Sequence, residues 1–385
     1  MADRIVMLVR NAYTHDTRVE KEARTLTDAG FEVTVVADAA HGLPERETRD
    51  GSTVIRIARW GSPLPGIRFL VHQVRLARVL RSLGPNVLHA HDSNALVPVA
   101  LAAQNLGVPF VYDAHDLWLG RPRRERSRIY FALSQLLYGI VERLLVPRAT
   151  AVLTVSPPIA RHLERRYGMD EVTLVPNYPD RPTDAGRRDL RSLKGGEQIP
   201  PGEPIVLYLG GLMAGRGLEQ LVDAIAVLDR GHLVLLGDGV LSGALLGRAA
   251  AAGTEHRVHV LRPVSPGEVV AYAASASVGV SPIVPSCLNY RYSLPNKLFQ
   301  YMAASIPVVA SDFPQVRAVI DDAGCGVVVD TTSPPAIADA IRKVLADPDA
   351  ASEMGRSARR AVEGRYNWSI SATALLRVYA GLKRR

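Results

Sequence analysis

The chain has 385 residues, 47% of them hydrophobic, and a formal charge of +8 at pH 7. That length exceeds one ordinary α/β layer and predicts two domains of roughly 100 to 200 residues, each with its own core. No stretch of roughly eighteen apolar residues occurs, and the first apolar run, IVMLV, is too short for a leader. A membrane-spanning chain is therefore excluded and a cytoplasmic one expected. The two cysteines, Cys287 and Cys325, match no metal spacing or redox pair, which agrees with a reducing compartment.

In chain order, IVMLV reads as a strand, residues 17–29 as a helix, and EVTVV and NVLHA as strands. A helix from Asn94 follows, then the strands PFVYD and AVLTV. Strand and helix taking turns predicts a parallel sheet with crossover helices. The loop after the first strand carries Asn11, His15, Asp16 and Arg18. Asp16 suits either a helix N-cap or a ligand contact.

Two later strands end in His89-Ala90-His91-Asp92 and Asp113-Ala114-His115-Asp116. Imidazoles beside carboxylates at strand C-termini can bind hydroxyls or move protons near neutral pH. This makes Asn11, His15, Arg18, His91 and Asp92 candidates for an acceptor side. No third ligand stands at a regular spacing, so no metal is expected.

The densest basic run, RPRRERSR at 121–128, leads into an apolar helical face over 127–146. One reading is a solvated loop and a buried crossover helix; the other is peripheral attachment to an anionic membrane, at its inner face. With no aromatic platform around these arginines, nucleic acid is not an expected partner.

The first half closes with VTLVPN, and residues 178–204 have prolines, glycines and charges without apolar period, as in a linker. The alternation restarts with IVLYLGG, a helix over 217–228, HLVLLGDG, another helix, RVHVLRPV, ASVGVSP, a helix from Leu294, IPVVAS and GCGVVVD. Helical stretches over 334–363 and a last one after Asn367 end the chain. The predicted fold class is α/β, with two Rossmann-like doubly wound domains facing across a cleft that would hold the active site. The boundaries are 1–177, a linker over 178–204, 205–365, and a C-terminal helix over 366–385 read as packing back on the first domain.

Three motifs of the second half suit phosphate. GGLMAGRG at 210–217 puts a glycine-rich turn between strand and helix, where backbone can approach a phosphate and Arg216 can offer a two-pronged contact. Gly237-Asp238-Gly239 makes a second, weaker turn. SLPNKLFQYMAASIPVVASD at 293–312 opens a helix whose N-terminal N–H groups can face an anion. Pro295 fits the first turn, whereas Lys297 at the positive end of the helix is unfavourable unless an anion sits there.

GGLMAGRG, VPN, GDG and PNKLFQYMAASIPVVAS, in different halves of the chain, together resemble the family 4 retaining glycosyltransferases of GT-B fold over nearly the whole length. The resemblance implies a C-terminal domain for a nucleotide-sugar, an N-terminal acceptor domain, and neither metal nor cofactor. It places Arg216 on the diphosphate, with Gly210, Gly211 and Gly237 nearby. Ser293, Leu294, Pro295, Asn296, Lys297 and Leu298 would line the phosphates or the transferred sugar. Pro263 and Val264 would edge the base, and His115 would face the reacting sugar.

Four positions depart from the family pattern. Gly211 stands where many members carry a second basic residue, and Ser305 where glycine is usual. Tyr292 and Gln300 occupy the places of two glutamates, one near the sugar and one on the ribose. A neutral amide at Gln300 would weaken donor affinity by roughly ten-fold. The implied reaction moves a hexose-type sugar from a UDP- or GDP-linked donor to a hydroxyl acceptor, whether glycan, lipid-linked or small molecule, with retention. An epimerase of the same architecture, or a weakly active or non-catalytic nucleotide-sugar-binding subunit, stays open beside it.

Overall fold

The structure is a computed structural model that describes residues 3–14, 16–58, 65–122, 128–183 and 186–382. His15, and Arg123, Arg124 and Arg126 of the basic run, lie outside the described residues. Two compact units are formed, Met1–Asn177 with Ile370–Arg385, and Tyr178–Ser369.

The first unit is built on β1 (Arg4–Leu8), β2 (Glu32–Asp38), β3 (Arg46–Arg49), β4 (Ser52–Ile57), β5 (Val87–His91), β6 (Phe110–Ala114), β7 (Ala151–Thr154) and β8 (Thr173–Leu174). Their order is β3-β4-β2-β1-β5-β6-β7-β8. Neighbours run parallel except for the β3–β4 hairpin. Sequence reading passed over this hairpin, although Asp50-Gly51 marks it. Both residues have positive φ, +47° and +77°, which is the two-residue turn that matches strand twist. β5 and β6 are buried at every position, because helices cover both faces of the sheet.

The second unit holds β9 (Ile205–Leu209), β10 (His232–Leu236), β11 (Val258–Leu261), β12 (Val278–Ser281), β13 (Val308–Ser311) and β14 (Gly326–Val329). The sheet is all parallel, in the order β11-β10-β9-β12-β13-β14. The strand order reverses between β9 and β12, and ligands of such sheets bind beyond the strand C-termini at that switch point. In the first unit the corresponding reversal lies between β1 and β5.

Residues 178–204, expected as a linker, are not strung free. Leu190 and Ile199 are buried in the core of the second unit, and Leu190 N–H donates to Ser275 Oγ at 3.0 Å. Two isolated apolar anchors give no periodic signal, yet they fix the segment. The last helix, Trp368–Leu382, joins the first unit from Ile370 onward. Ser371 Oγ donates to the Pro176 carbonyl at 2.7 Å, and the buried Tyr379 hydroxyl meets His89 Nδ1 at 2.8 Å.

The helix Asn296–Ala303 ends in a Schellman motif, with Ile306 N–H on Tyr301 O and Ser305 N–H on Met302 O. Ser305 takes the left-handed position of that motif, φ +59°, which favours glycine. Ser305→Gly should therefore raise stability by up to about 1 kcal/mol, the relieved strain exceeding the added freedom of the unfolded chain. Urea unfolding checks this: the midpoint should rise with the slope unchanged.

Candidate active site residues on each unit

At the switch point of the second unit, β9 runs into the glycine-rich turn and then the helix Leu218–Ala226. A Cβ at Gly217 would stand 1.7 Å from the Pro282 carbonyl oxygen, and one at Gly237 would stand 2.0 Å from that of Gly210. Only glycine permits these approaches. Leu212 N–H donates to Asp238 O at 2.9 Å, so the two turns hold each other. Tyr208 adds a hydroxyl bond to Gly211 O at 3.0 Å.

From the other side of the switch, β12 leads through the helix Leu288–Tyr292 into the helix Asn296–Ala303. Tyr301 fixes the latter: its hydroxyl accepts Leu209 N–H at 3.0 Å and reaches the Leu207 and Val280 carbonyls at 3.1 Å each. That one side chain ties β9, β12 and the helix together. Tyr301 lies within the PNKLFQYMAAS motif, and nothing in the local sequence marks this role.

The same helix turns Lys297 into the site. Its side chain is buried, and Nζ has no hydrogen-bond partner among the described residues. Nζ lies 3.5 Å from the centroid of the Tyr208 ring. Burial and then the Arg216 guanidinium hold the ammonium well below its usual pKa. Arg216 itself lies over the Tyr290 ring at 5.1 Å. A buried, unpaired amine costs free energy unless something anionic joins it.

Gly210, Gly211, Arg216, Gly237 and Lys297 are thus gathered, as the motifs anticipate. Ser293 Oγ caps its own turn on Tyr290 O at 2.8 Å. Gln300, partly buried, stands one turn beyond Lys297, and Val264 and Leu294 pack against the core. Leu298 faces the other way, fully buried with its N–H on Pro295 O at 3.0 Å. Pro295 is the N-cap and Asn296 is exposed.

In the first unit, β5 and β6 bring His91 and His115 together, with His91 Nδ1 and His115 Nε2 3.0 Å apart. Both meet Asp113, His115 at 3.0 Å and His91 at 3.4 Å. The helix Thr17–Asp28 adds two side chains that sequence reading placed differently or passed over. Arg18, expected on the acceptor side, is buried with Nε and Nη2 on Asp113 at 2.8 Å each, Nη1 on the Val175 carbonyl, and Nε 3.1 Å from Glu22. It is spent on holding these carboxylates.

Glu22, His89, His91 and Asp113 offer ligand-type atoms all within 4.8 Å of one another, a gathering that spacing along the chain did not reveal. Arg18 already supplies positive charge to its two carboxylates. A signal for Glu22 was present: it sits with Val19, Ala23 and Leu26 on the buried stripe of its helix.

Charge in this network is sorted by environment. Burial alone would push Asp113 up, but Arg18 and His115 bring it well below the usual carboxylate range. Glu22 goes the other way, raised well above that range by burial and by Asp113. His89 and His91 are lowered chiefly by burial. For His115, burial opposes the cation, yet Asp113 and Asp92 raise its pKa to about 9.

His115 is therefore cationic at neutral pH. Because its folded pKa exceeds the unfolded value of about 6.5, the stability it contributes is complete below pH 6.5 and is lost as pH rises through about 9. An NMR titration of the His115 ring should show that midpoint, with thermal stability falling over the same window.

Asp92 carries φ +64° and ψ 165°, a region almost confined to glycine. Its carboxylate accepts His115 N–H at 3.3 Å and pairs with Arg121 at 3.4 Å. Asp16 proves to be a cap, accepting Val19 N–H at 3.3 Å, and exposed Asn11 donates to it at 2.8 Å.

Comparison with known proteins gives the family and the fold. Residues 16–180 match the family model described as Glycosyltransferase Family 4, and residues 203–347 match Glycosyl transferases group 1. The D-inositol 3-phosphate glycosyltransferase of Xylanimonas cellulosilytica is 30% identical over 325 residues, 78% of this chain and 73% of that protein. The chain belongs to glycosyltransferase family 4. Its GT-B fold is shared with the sucrose-phosphate synthase of Thermosynechococcus elongatus, at a TM-score of 0.83, 19% identity and 99% coverage of both chains. Anabaena HepE, solved in complex with UDP-glucose, matches this glycosyltransferase at a TM-score of 0.75 and 15% identity over 98% of this chain and 99% of that one.

Proposed function

We propose that this glycosyltransferase moves a hexose-type sugar from a nucleoside diphosphate donor, UDP- or GDP-linked, to a hydroxyl acceptor, with retention at the anomeric carbon and without a resident metal. The observation that carries the reading is Lys297, a buried amine without a hydrogen-bond partner among the described residues, next to Arg216 and the glycine turns.

Departure of the sugar leaves negative charge on the β-phosphate. Arg216 and Lys297 gain most as that charge grows, so they lower the barrier more than they tighten ground-state binding. An arriving phosphate restores the pKa of Lys297, so donor binding takes up a proton between the lowered and the restored value. Two protein cations would also neutralise the diphosphate as a divalent ion does elsewhere.

In the first unit, the His115 cation is held by Asp113 and would orient a sugar hydroxyl. Arg18 acts through Asp113 as a positioning residue. The leaving phosphate is the proposed acceptor of the proton from the attacking hydroxyl, which leaves no task for a protein base.

Incubation with UDP- and GDP-sugars and hydroxyl acceptors, in the presence of a metal chelator, tests the reading. Release of nucleoside diphosphate is expected, with a product whose anomeric coupling matches that of the donor. Inversion of a ring stereocentre in the nucleotide-sugar, with no transfer to any acceptor, would sink it. The UDP-glucose complex of HepE makes UDP-glucose the first donor to try.

A further inference from the structure

The helix Arg128–Leu145 is turned inside out relative to a core helix. Ile129, Leu133, Leu136, Leu137, Ile140 and Leu144 form one stripe and are 49% to 78% exposed. Ser134, Gln135 and Tyr138 point inward, partly buried. The buried Glu142 accepts hydrogen bonds from the Ser93 and Tyr167 hydroxyls and so anchors the polar side to the unit. Of the two expectations for this segment, a buried crossover helix and a membrane-facing one, burial does not hold for the leucine and isoleucine stripe, while Phe131, Val141 and Leu145 are partly buried.

The surface continues across two neighbours. The helix Ser93–Leu106 packs beside this one and has no charged residue, and the helix Pro65–Ser82 beyond it exposes Phe69, Leu70, Val71 and Val74. The exposed charges described on the two outer helices and just after them are Arg75, Arg78, Arg81, Arg128, Arg143 and Arg148. Their one carboxylate is the buried Glu142. An exposed apolar stripe of this kind marks an interaction site, and arginines as the exposed charges on the same helices select an anionic partner.

We infer that this three-helix face docks on a bilayer rich in anionic phospholipid. The leucine and isoleucine stripe enters the boundary between headgroups and acyl chains, and the arginines meet lipid phosphates. No helix among the described residues is long and apolar enough to cross a membrane, so the attachment is peripheral. A second copy would bring the same cationic patch against itself, which repels.

The test is sedimentation of the full-length protein, without any sugar, with vesicles of phosphatidylcholine containing about 30% phosphatidylglycerol. Retention is expected on these vesicles, at least about ten-fold weaker on pure phosphatidylcholine, and falling with added salt. The pair Leu136→Asp with Ile140→Asp should cost about ten-fold in binding through lost apolar insertion, with thermal unfolding unchanged. Arg143→Glu with Arg148→Glu should remove the preference for the anionic lipid.

Equal retention on both vesicles, or none, overturns the inference. So does a dimer in sedimentation velocity that Leu136→Asp breaks, since the face would then cover a second copy. Vesicle binding is read without donor or acceptor, so its failure and a failure of the transferase reading are separate results.

Discussion

Replacement of Lys297 by methionine should abolish most activity while making the protein more stable. Loss of one preorganised charge on the leaving phosphate costs about 10²- to 10³-fold in kcat. The same change removes a buried amine with no hydrogen-bond partner among the described residues and leaves an apolar chain of similar length against Tyr208. A buried polar group left without a partner costs about 1 to 3 kcal/mol, so its replacement by an apolar chain should stabilise the protein by up to that much. Steady-state rates and thermal melting on one preparation separate the two effects. A merely structural lysine would show the reverse, with activity retained and melting lowered.

Arg18→Met should have the largest effect on stability. It leaves the buried Asp113 carboxylate without its two-pronged partner and Glu22 without its neighbour at 3.1 Å. Removing one member of a buried ion pair costs about 3 to 5 kcal/mol. For a unit of this size that lowers Tm by roughly 10 °C. The loss is confined to the first unit, so calorimetry should show its transition moving ahead of the other. A single unshifted transition would mean that the network contributes nothing net.

Much of the proposed donor site was legible because phosphate-binding motifs are local in sequence. Glycines that let backbone approach, an arginine in the turn, and a lysine on the first turn of a helix fall within two short motifs, and the structure brings them to one switch point. Local reading failed where side chains from distant elements decide the outcome. Arg18 carries no mark that it will turn inward to Asp113, ninety-five positions away. Leu298 lies inside the right motif, yet its place on the helix sends it to the core.

The helix Arg128–Leu145 shows the converse failure. Its apolar period predicts burial, but Glu142, anchored by Ser93 and Tyr167, and the partly buried Ser134, Gln135 and Tyr138 lie on the inner side and leave the leucine and isoleucine stripe outward. The linker reading over 178–204 missed Leu190 and Ile199 because two anchors have no period. The β3–β4 hairpin, by contrast, is marked in the sequence by Asp50-Gly51.

The central claim is that Lys297 and Arg216 hold a diphosphate. Calorimetric titration with UDP, GDP and the matching monophosphates, in two buffers of different ionisation enthalpy, tests it most directly. The account predicts that one diphosphate binds at least about ten-fold tighter than its monophosphate and, at pH between the lowered and the ordinary pKa of Lys297, takes up a proton, and that Lys297→Met removes both differences. Equal affinity for mono- and diphosphate in the wild-type protein, with no proton taken up, would contradict it.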